Sequence, residues 1–425
     1  MIYLNLLRNN PDFTKLWYAQ VISLLGDWFD TIVLSTLVSK YSNGSGIAIA
    51  LFLMSRFLPP LLVSPFAGVL VDRYSRKHIL FYSNVARAII VPFFLLANSA
   101  ETLWIIYLVT VLQFIASSVF EPGQAAITPS LVKRSDLITA NTLGTMTWSV
   151  MLALGAVIGG IFASIFGTEI TLLADAVTFA IAAFFIHRIQ HDPAPTTEAE
   201  PSITEESKSF AQGLRYVANS PHILTALFIK FGTFIANLDT VMTIFATQIF
   251  ITGTDGQLSL GIMYSCFGIG SIIGPIIANR FNDGSIAQLQ KWITIGFIAS
   301  FVGWFVLGGA TGFLIACVGI FLRAIGSSTN WTYSTIIIQR ITPDHYLGRV
   351  FSLDFAGFQI VTVISLMIHG YFVDLSGKEN IYLISFVTGL ISIIPAVIWV
   401  ALLAWSKQKA APIDFLDEVS FIPAE

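Results

Sequence analysis

The sequence predicts an all-α membrane protein in which twelve transmembrane helices form two pseudo-symmetric halves of six. Three observations predict this fold class. The 425-residue chain is 55% hydrophobic and only 11% charged, whereas soluble domains carry about 25% charged residues. Twelve apolar runs are close to the roughly 20 residues that a helix needs to cross a bilayer. An acidic segment with several prolines separates the first six runs from the last six.

The predicted spans are residues 14–38, 46–71, 79–99, 102–121, 143–166, 169–188, 222–250, 258–279, 292–310, 312–337, 350–372 and 381–405. The first span contains Asp27 and Asp30, unlike the uncharged core of a cleaved signal peptide, so we interpret it as permanent. Prolines inside the runs are tolerated in a spanning helix where neighbouring groups satisfy the freed carbonyl groups.

The positions of the 22 Lys and Arg residues predict the orientation. With both termini in the cytoplasm, sixteen of them lie on the cytoplasmic side and four lie within spans. Only Lys40 and Lys378 lie outside. This asymmetry is what the positive-inside rule requires, so we expect both termini to be cytoplasmic.

The segments between spans divide the chain into four parts. We expect an N-terminal six-helix half at 1–190, a cytoplasmic linker at 191–213, a C-terminal six-helix half at 214–406 and a cytoplasmic tail at 407–425. The halves also resemble each other, because Ser117-Ser118, Leu137 and Leu143 recur as Ser327-Ser328, Leu347 and Leu353 at a constant offset of 210. Two parallel six-helix repeats are the architecture of one class of transporters.

A basic loop, "GVLVDRYSRK" from Gly68 to Lys77, lies between spans two and three. One interpretation is that its cations, Arg73, Arg76 and Lys77, only contact anionic headgroups. That interpretation leaves Gly68 and Asp72 unexplained. Gly68 lies one turn before Asp72, where a missing side chain lets another helix approach. We therefore predict that Asp72 makes a charge-assisted contact that opens and closes a gate. Glu121, at the predicted inner end of span four, is a candidate partner of the loop.

The same loop resembles the signature of the major facilitator superfamily, a Gly, then Asp-Arg, then a basic pair. Further segments are similar to its drug–proton antiporter branch, which includes bacterial macrolide-efflux and enterobactin-exporter-like proteins. They are "RFLPPLLVSPFAGVLVDRYSRK", "NVARAII", "FEPGQAAITPSLVKRSDLITANTL", "GLRYVANSP" and "QRITPDHYLGRVFSL". The resemblance covers nearly the whole chain. It implies a plasma (inner) membrane protein, functional as a monomer, that exports an amphipathic drug, macrolide or siderophore-like molecule in exchange for protons by alternating access.

One segment departs from the family pattern. Exporters of this superfamily often carry Gly-Pro-x-x-Gly-Gly on span five, whereas this chain reads "GAVIGG" with Ala156 in place of Pro. The glycines Gly155, Gly159 and Gly160 still permit close helix packing. The hinge that a proline would impose is absent.

Two acids on span one are the candidates for proton coupling. Asp27 and Asp30 in "GDWFD" are three residues apart, so both lie on one helix face. Neighbouring carboxylates in a partly buried site favour retention of a proton on one of them. We predict that at least one carries the coupling proton, with Asp27 favoured because it lies deeper and follows Gly26. The alternative is that one acid only forms a structural bridge with Arg56 or Arg87.

Other charged residues within the spans are candidates for a central cavity, because charged side chains at membrane depth usually face the bundle interior. For Arg56 and Arg87 a structural ion pair is favoured over substrate contact. Asp175 stays ambiguous, and Asp239 is a candidate cavity residue in span seven. Arg323 lies at a level where a substrate carboxylate could bind.

Two further residues within the spans have open roles. Lys230 either lines the cavity or extends its amine to the membrane interface. His369 is the one mid-span histidine and a candidate for proton relay.

Several functions find no support in the sequence. There is no Gly-x-x-x-x-Gly-Lys phosphate loop, no His/Cys/acid cluster with metal-ligand spacing, and the net charge of −3 gives no basic patch for nucleic acid. We expect no enzyme and no cofactor. The expected partners are a small-molecule substrate, protons and membrane lipids. A lipid or lysolipid flippase, a metabolite importer, or a non-transporting receptor or scaffold are the alternatives.

The linker provides a test of the topology. Residues 191–209 contain five acids, three prolines and no aromatic residue, a composition that cannot form a packed core. We expect protease to cut there in inside-out vesicles and to leave intact cells uncut, as measured by fragment size. Cleavage in intact cells by external protease would reverse the orientation.

Overall fold

The computed structural model describes residues 2–190 and 214–409. These residues are almost entirely helical and contain no strand in the ranges described. The prediction of an all-α membrane protein is confirmed. The linker at 191–213 lies outside the described residues, as does the tail from 410 onward. Residues 407–409 of the predicted tail belong to the last helix.

The N-terminal half begins with a short helix and continues with spanning helices. Its helices are α1 (Ile2–Asn9), α2 (Pro11–Tyr41), α3 (Gly46–Arg73), α4 (Arg76–Ile90), α5 (Leu103–Ser117), α6 (Phe120–Leu131) and α7 (Leu137–His187). A 3₁₀ turn at Val91–Leu96 extends α4. The C-terminal half contains α8 (Pro221–Phe234), α9 (Asp239–Ile244), α10 (Gln257–Arg280), α11 (Ile286–Gly308), α12 (Phe313–Ile341), α13 (Asp344–Ser376) and α14 (Ile381–Lys409).

Helix α7 contains two spans joined without a loop. The described residues hold eleven apolar stretches long enough to cross a membrane, and one of them, Arg134–His187, is 54 residues long. At 1.5 Å per residue it would measure about 80 Å, against a hydrocarbon core of about 30 Å. Gly167 interrupts it with φ 80° and ψ 172°, a conformation that glycine adopts without steric cost. The stretch therefore supplies spans five and six, and the total is twelve.

Two predicted spans need correction. Span four does not end at Glu121, because the chain continues from α5 into α6 as far as Leu131. Pro122 allows this, since it lies in the first turn of α6, where a missing N–H is tolerated. Span seven is not continuous, because residues 235–238 separate α8 from α9.

The internal repeat is visible in the helices. Helices α5 and α6 together run from Leu103 to Leu131, and α12 runs from Phe313 to Ile341. Both ends are shifted by the offset of 210 residues that the sequence shows. The structure therefore has corresponding spans four and ten in its two halves.

Polar contacts join the two halves at one end of the bundle, which we call the far face because the chain enters and leaves the linker at the other end, the linker face. Asp374 of α13 accepts hydrogen bonds from the Ser45 hydroxyl at 2.8 Å and from the Gly46 N–H at 2.6 Å. Lys40 pairs with Asp255 at 2.8 Å. These contacts close the far face in this state.

Glycines bring the backbones of the two halves together at the same end. A Cβ added at Gly370 of α13 would lie 2.5 Å from the Gly46 carbonyl oxygen and 2.9 Å from Ala50 Cβ. On the other side of the bundle, a Cβ at Gly160 of α7 would lie 3.1 Å from Gly261 Cα. Close approach without side chains, as between packed membrane helices, therefore accompanies the polar contacts.

We expect Gly370→Val to hold the far face open, because its side chain cannot fit against Gly46. The measurement is labelling of Ser39→Cys by a membrane-impermeant thiol reagent added from the far face. Ser39 is fully buried beside Thr247 in this state, so its labelling should rise several-fold.

The matched control is Gly348→Val in the same helix, since a Cβ at Gly348 meets no atom within 4 Å. For this labelling experiment, Cys266 and Cys317 are both replaced by Ser, so that the introduced cysteine is the one thiol that can react. Unchanged labelling in Gly370→Val would show that the glycine contact does not determine closure.

Candidate functional site

Asp30 forms a fixed bridge at the centre of the N-terminal half. Its side chain is fully buried, and its Oδ1 accepts a hydrogen bond from Arg56 Nη1 at 2.9 Å. Gln113 Nε2 donates to the other oxygen at 2.5 Å, whereas the Thr31 hydroxyl, 3.2 Å from Oδ1, donates to the Asp27 carbonyl oxygen. Because both oxygens have donors and one donor is cationic, Asp30 is held as a carboxylate.

Asp27 is bound more loosely than Asp30. Its Oδ1 lies 3.5 Å from Arg87 Nη1, and 26% of its side chain is exposed. The shorter hydrogen bonds of Arg87 go to the Ser23 hydroxyl at 2.8 Å and to Asn84 Oδ1 at 2.9 Å. Asp27 is therefore less enclosed than Asp30, and its partner Arg87 has other hydrogen bonds.

Both guanidinium groups also lie over aromatic rings. The Arg56 guanidinium carbon is 4.6 Å from the centre of the Phe114 ring, and that of Arg87 is 4.2 Å from the centre of the Phe179 ring. Such contacts stabilise a cation away from water. Both Arg residues thus form ion pairs with acids of α2.

The structure brings Asp175 into the same region. This acid of α7 is fully buried and packs against Gly26 of α2. Asp27, Asp30, Arg56, Arg87 and Asp175 are hereafter called the acidic cluster. Sequence reasoning proposed all five residues individually and missed Gln113, a polar residue in span four.

The C-terminal half contains a second buried ion pair. Lys230 of α8 pairs with Asp354 of α13, and both side chains are less than 5% exposed. The ammonium group also lies 4.3 Å from the centre of the Trp331 ring. Extension of Lys230 to the membrane interface is therefore wrong. Asp354 was missed, although an acid inside the predicted span 350–372 was a usable signal.

The break in span seven is held by side chains. Asn237 Oδ1 accepts from the Asp239 N–H at 2.9 Å, a local bond that competes with helix formation. Arg323 Nη2 donates to the carbonyl of Ala236, which lies in the break, at 2.7 Å. The Tyr264 hydroxyl donates to Asp239 Oδ1 at 3.0 Å. Arg323 thus satisfies a backbone carbonyl in this state, while Asp239 lies at the start of α9, bound to a helix of the same half.

His369 is satisfied within the C-terminal half. Its Nδ1 lies 2.7 Å from the Ser365 carbonyl oxygen, and its Nε2 lies 3.1 Å from the Thr388 hydroxyl. The side chain is buried. This arrangement is that of a packed core histidine.

The basic loop is only partly described. The surroundings of Gly68 and the side chain of Asp72 lie outside the described part of the chain. Arg76 Nη1 donates to the Ala126 carbonyl of α6 at 3.1 Å, so the loop does contact span four. Arg73 ends α3, and Lys77 is the second residue of α4. Glu121 is exposed, and among the described residues it makes no ion pair within 4 Å.

Aromatic side chains line the contact between the halves. Trp28 of α2 meets Tyr264 of α10 edge to face, with ring centres 5.2 Å apart. Phe234, Trp331 and Phe358 form a second group with ring centres 5.0 to 5.8 Å apart. Next to it, Gln359 Nε2 donates across the halves to the Phe57 carbonyl at 3.1 Å.

No cluster in the described ranges could hold a metal ion through three or more His, Cys, Asp or Glu side chains. Cys266 and Cys317 are both free thiols. The polar groups that converge here are carboxylates, guanidinium groups and amides. They can hold or release protons and can bind polar parts of a small molecule.

Comparison with known proteins identifies the fold and its family. A model described as Major Facilitator Superfamily matches residues 16–286 and 231–416. The putative bacilysin exporter BacE of Bacillus subtilis (strain 168) is 25% identical over 346 residues, 81% of this chain and 84% of the relative. Macrolide efflux protein A of Streptococcus pyogenes is 22% identical over 396 residues, 88% and 92% of the two chains.

A solved structure shares the architecture. The inward-facing, unoccupied structure of a bacterial homologue of the human lysosomal transporter Spinster superposes with a TM-score of 0.73 at 13% identity, covering 95% of this chain and 99% of the other. The predicted class, a multi-pass membrane transporter and not an enzyme, is confirmed.

We expect Asp354→Leu or Lys230→Met alone to destabilise the protein, because each change leaves one buried charge unpaired. Such losses are about 3–5 kcal/mol. The double variant should recover most of the melting temperature, measured on purified protein in detergent.

The control is Lys40→Met, which breaks the exposed pair with Asp255 and should cost at most about 1 kcal/mol. A double variant that is as unstable as the sum of the single variants would contradict a paired role for the two residues.

Proposed function

This chain belongs to the major facilitator superfamily, and from this premise we propose that it exports an amphipathic small molecule in exchange for protons by alternating access. The plasma membrane, with both termini in the cytoplasm, is the proposed location. The proposal depends on one observation above all. Of the two acids on α2, Asp30 is buried in a complete bridge, whereas Asp27 is partly exposed and only 3.5 Å from a guanidinium group.

This difference assigns the acids separate roles. A proton-coupling residue must be ionised in one state and protonated in the other, so it needs access to water and a partner that tolerates the loss of charge. Asp27 meets both conditions, because Arg87 keeps hydrogen bonds to Ser23 and Asn84 when Asp27 is neutral. Asp30 meets neither, since neutralisation would leave Arg56 buried without its counter-ion.

The proposed coupling of substrate to protons then follows from thermodynamic linkage between the two binding sites. If substrate and proton favour different facing states, each lowers the affinity for the other by the same factor. The far face is closed in this state by Asp374 and its neighbours. We therefore assign the exposed part of Asp27 to the linker-face side, where in this orientation it releases its proton to the cytoplasm.

The basic loop is the proposed gate on the linker face. Gly68 and Asp72 are proposed to approach the opposite half, with Arg73, Arg76 and Lys77 placing charge beside them and Glu121 nearby on α6. The bond from Arg76 to Ala126 supports a loop fixed on span four. A loop fixed there moves with the N-terminal half when the halves rotate.

The aromatic groups support an amphipathic substrate. Trp28 and Tyr264 lie between the halves, where transporters of this architecture bind substrate near the midplane. Aromatic walls with a few polar groups suit a molecule with an extended apolar surface. Two relatives are named for macrolide efflux and bacilysin export, and these names also support a small-molecule substrate.

The direct test uses the purified chain in liposomes with an imposed pH gradient. Accumulation of labelled erythromycin or bacilysin against its gradient, abolished by a protonophore, is the expected result. Transport without proton movement would overturn the coupling. If the substrate accumulates only when it moves in the same direction as the protons, the chain is an importer instead of an exporter.

For the acids themselves, we expect Asp27→Asn to abolish pH-driven accumulation and to spare substrate exchange and the melting temperature. The amide mimics the protonated carboxyl, so binding continues while the proton cannot be released. Asp30→Asn, the matched control, should lower the melting temperature because it strands Arg56.

Both quantities are measured on the same preparations. If Asp27→Asn retains proton-driven accumulation, or if its thermal stability falls as far as that of Asp30→Asn, then Asp27 is a structural residue and the assignment is wrong.

A further inference from the structure

We propose that Asp175 holds a proton in this state and stores it within the acidic cluster during the transport cycle. This inference rests on the proposed proton coupling and adds a second residue to it. Asp27 exchanges protons with water, whereas Asp175, one helix away on α7, keeps a proton away from water.

The first reason is the burial of the Asp175 carboxyl group. The residue is fully buried, and neither of its oxygens has a hydrogen-bond partner among the described residues. An isolated carboxylate in a low-dielectric interior is costly enough that the group neutralises instead of remaining ionised. Asp30, at equal burial, has two donors, Arg56 and Gln113, one on each oxygen. The contrast marks Asp175 as the neutral acid of the cluster.

The second reason is how the carboxyl group is confined. A side chain at Gly26 would collide with Asp175 Oδ1 and with the Thr178 hydroxyl, so the backbone of α2 forms one wall. The Thr178 hydroxyl donates to the Asp175 carbonyl at 2.6 Å. Its proton is therefore not directed at the carboxyl group. The carboxyl group rests beside Gly26, the residue before Asp27.

The third reason is the charge of the surrounding groups. The charged residues that interact electrostatically with Asp175 are Asp27 and Asp30 on α2, Arg56 on α3 and Arg87 on α4. These two cations and two anions already pair with each other at 2.9 and 3.5 Å. Ionisation of Asp175 would leave the cluster with an uncompensated negative charge. With a proton on Asp175 the cluster is neutral.

The arrangement also allows an exchange that conserves charge. Arg87 Nε is buried and has no partner among the described residues. This guanidinium can therefore donate a hydrogen bond to a second carboxylate. When Asp175 gives its proton to the Asp27 carboxylate, Arg87 loses one anionic partner and gains another. One O–H bond breaks on Asp175 and one forms on Asp27, and the net charge of the cluster is unchanged.

The test is infrared spectroscopy of the purified full chain at neutral pH. We expect wild type to show the carbonyl stretch of a protonated carboxylic acid that is slow to shift in deuterated water, and Asp175→Asn to lack it. Asp239→Asn, which changes an acid outside the cluster, should retain the band. The melting temperature of Asp175→Asn should stay close to that of wild type, since no charge is removed.

Transport provides the second readout. Asp175→Asn should reduce pH-driven accumulation by more than about tenfold, within the usual 5- to 150-fold range of coupling between sites, while leaving substrate exchange intact. Normal proton-driven accumulation in this variant would overturn the storage role.

The spectrum decides the protonation independently of transport. A band that is absent from wild type, or that persists in Asp175→Asn, overturns the proposal even if transport is proton-coupled. If Asp175→Asn does not fold, Asp175→Glu replaces it: a shifted band supports the proposal and an unshifted band overturns it. Uncoupled transport by wild type would instead refute the proposed function and leave the band assignment standing.

Discussion

A charge in the bilayer core is costly unless it is compensated, and the cations within the spans are compensated by groups from other parts of the fold. Each of the four described cations at membrane depth has a partner from another helix or from a break in one. The pairs are Arg56 with Asp30, Arg87 with Asp27, Lys230 with Asp354, and Arg323 with the Ala236 carbonyl. Aromatic rings support all four cations. The contacts tie α2 to α3 and α4, and α8 to α12 and α13.

The pairs differ in how many of their possible hydrogen bonds are made. We use this difference to distinguish pairs that hold the fold from groups with a proposed role in coupling. A buried pair with all hydrogen bonds made is costly to break, as at Asp30 and Lys230. A loose pair with water access can change its charge without loss of the fold, as at Asp27. Asp175, which has no partner in the described residues, is at the other extreme. In the proposed mechanism both kinds are needed, because the tight pairs hold each half together while the loose groups respond to protons.

The contacts between the halves follow a different rule. At the far face, hydrogen bonds to Asp374 and glycine contacts between Gly46 and Gly370 accompany a buried apolar cluster to which both halves contribute. Polar bonds at a surface can be exchanged for bonds to water at small net cost. The polar part of the closure can therefore be broken and remade at small cost, as the proposed alternation between two facing states requires.

The sequence by itself determined the fold class, the number of spans, the division into halves and a list of charged candidates. These follow from local rules, namely the length of an apolar run, the bias of basic residues and the offset of 210 between the halves. It also identified Asp27, Asp30, Arg56, Arg87 and Asp175 as unusual, since any charge at membrane depth is. Glu121 shows the limit of this reasoning, because the end of span four depended on a proline whose place in α6 the apolar pattern did not show.

Only the tertiary structure decided which charges meet. Lys230 and Asp354 are 124 residues apart, and Asp30 and Arg56 are 26 apart on different helices. Hydropathy does not determine the rotation of a helix about its axis in an almost uniformly apolar chain, so it cannot say which side chains face each other. The break after α8 depends likewise on Arg323, Ser365 and Asn237 from three spans. The proposed roles of Asp27 and Asp30 differ for the same reason: their spacing places them on one helix face, and the neighbouring helices supply two donors to Asp30 and a single distant cation to Asp27.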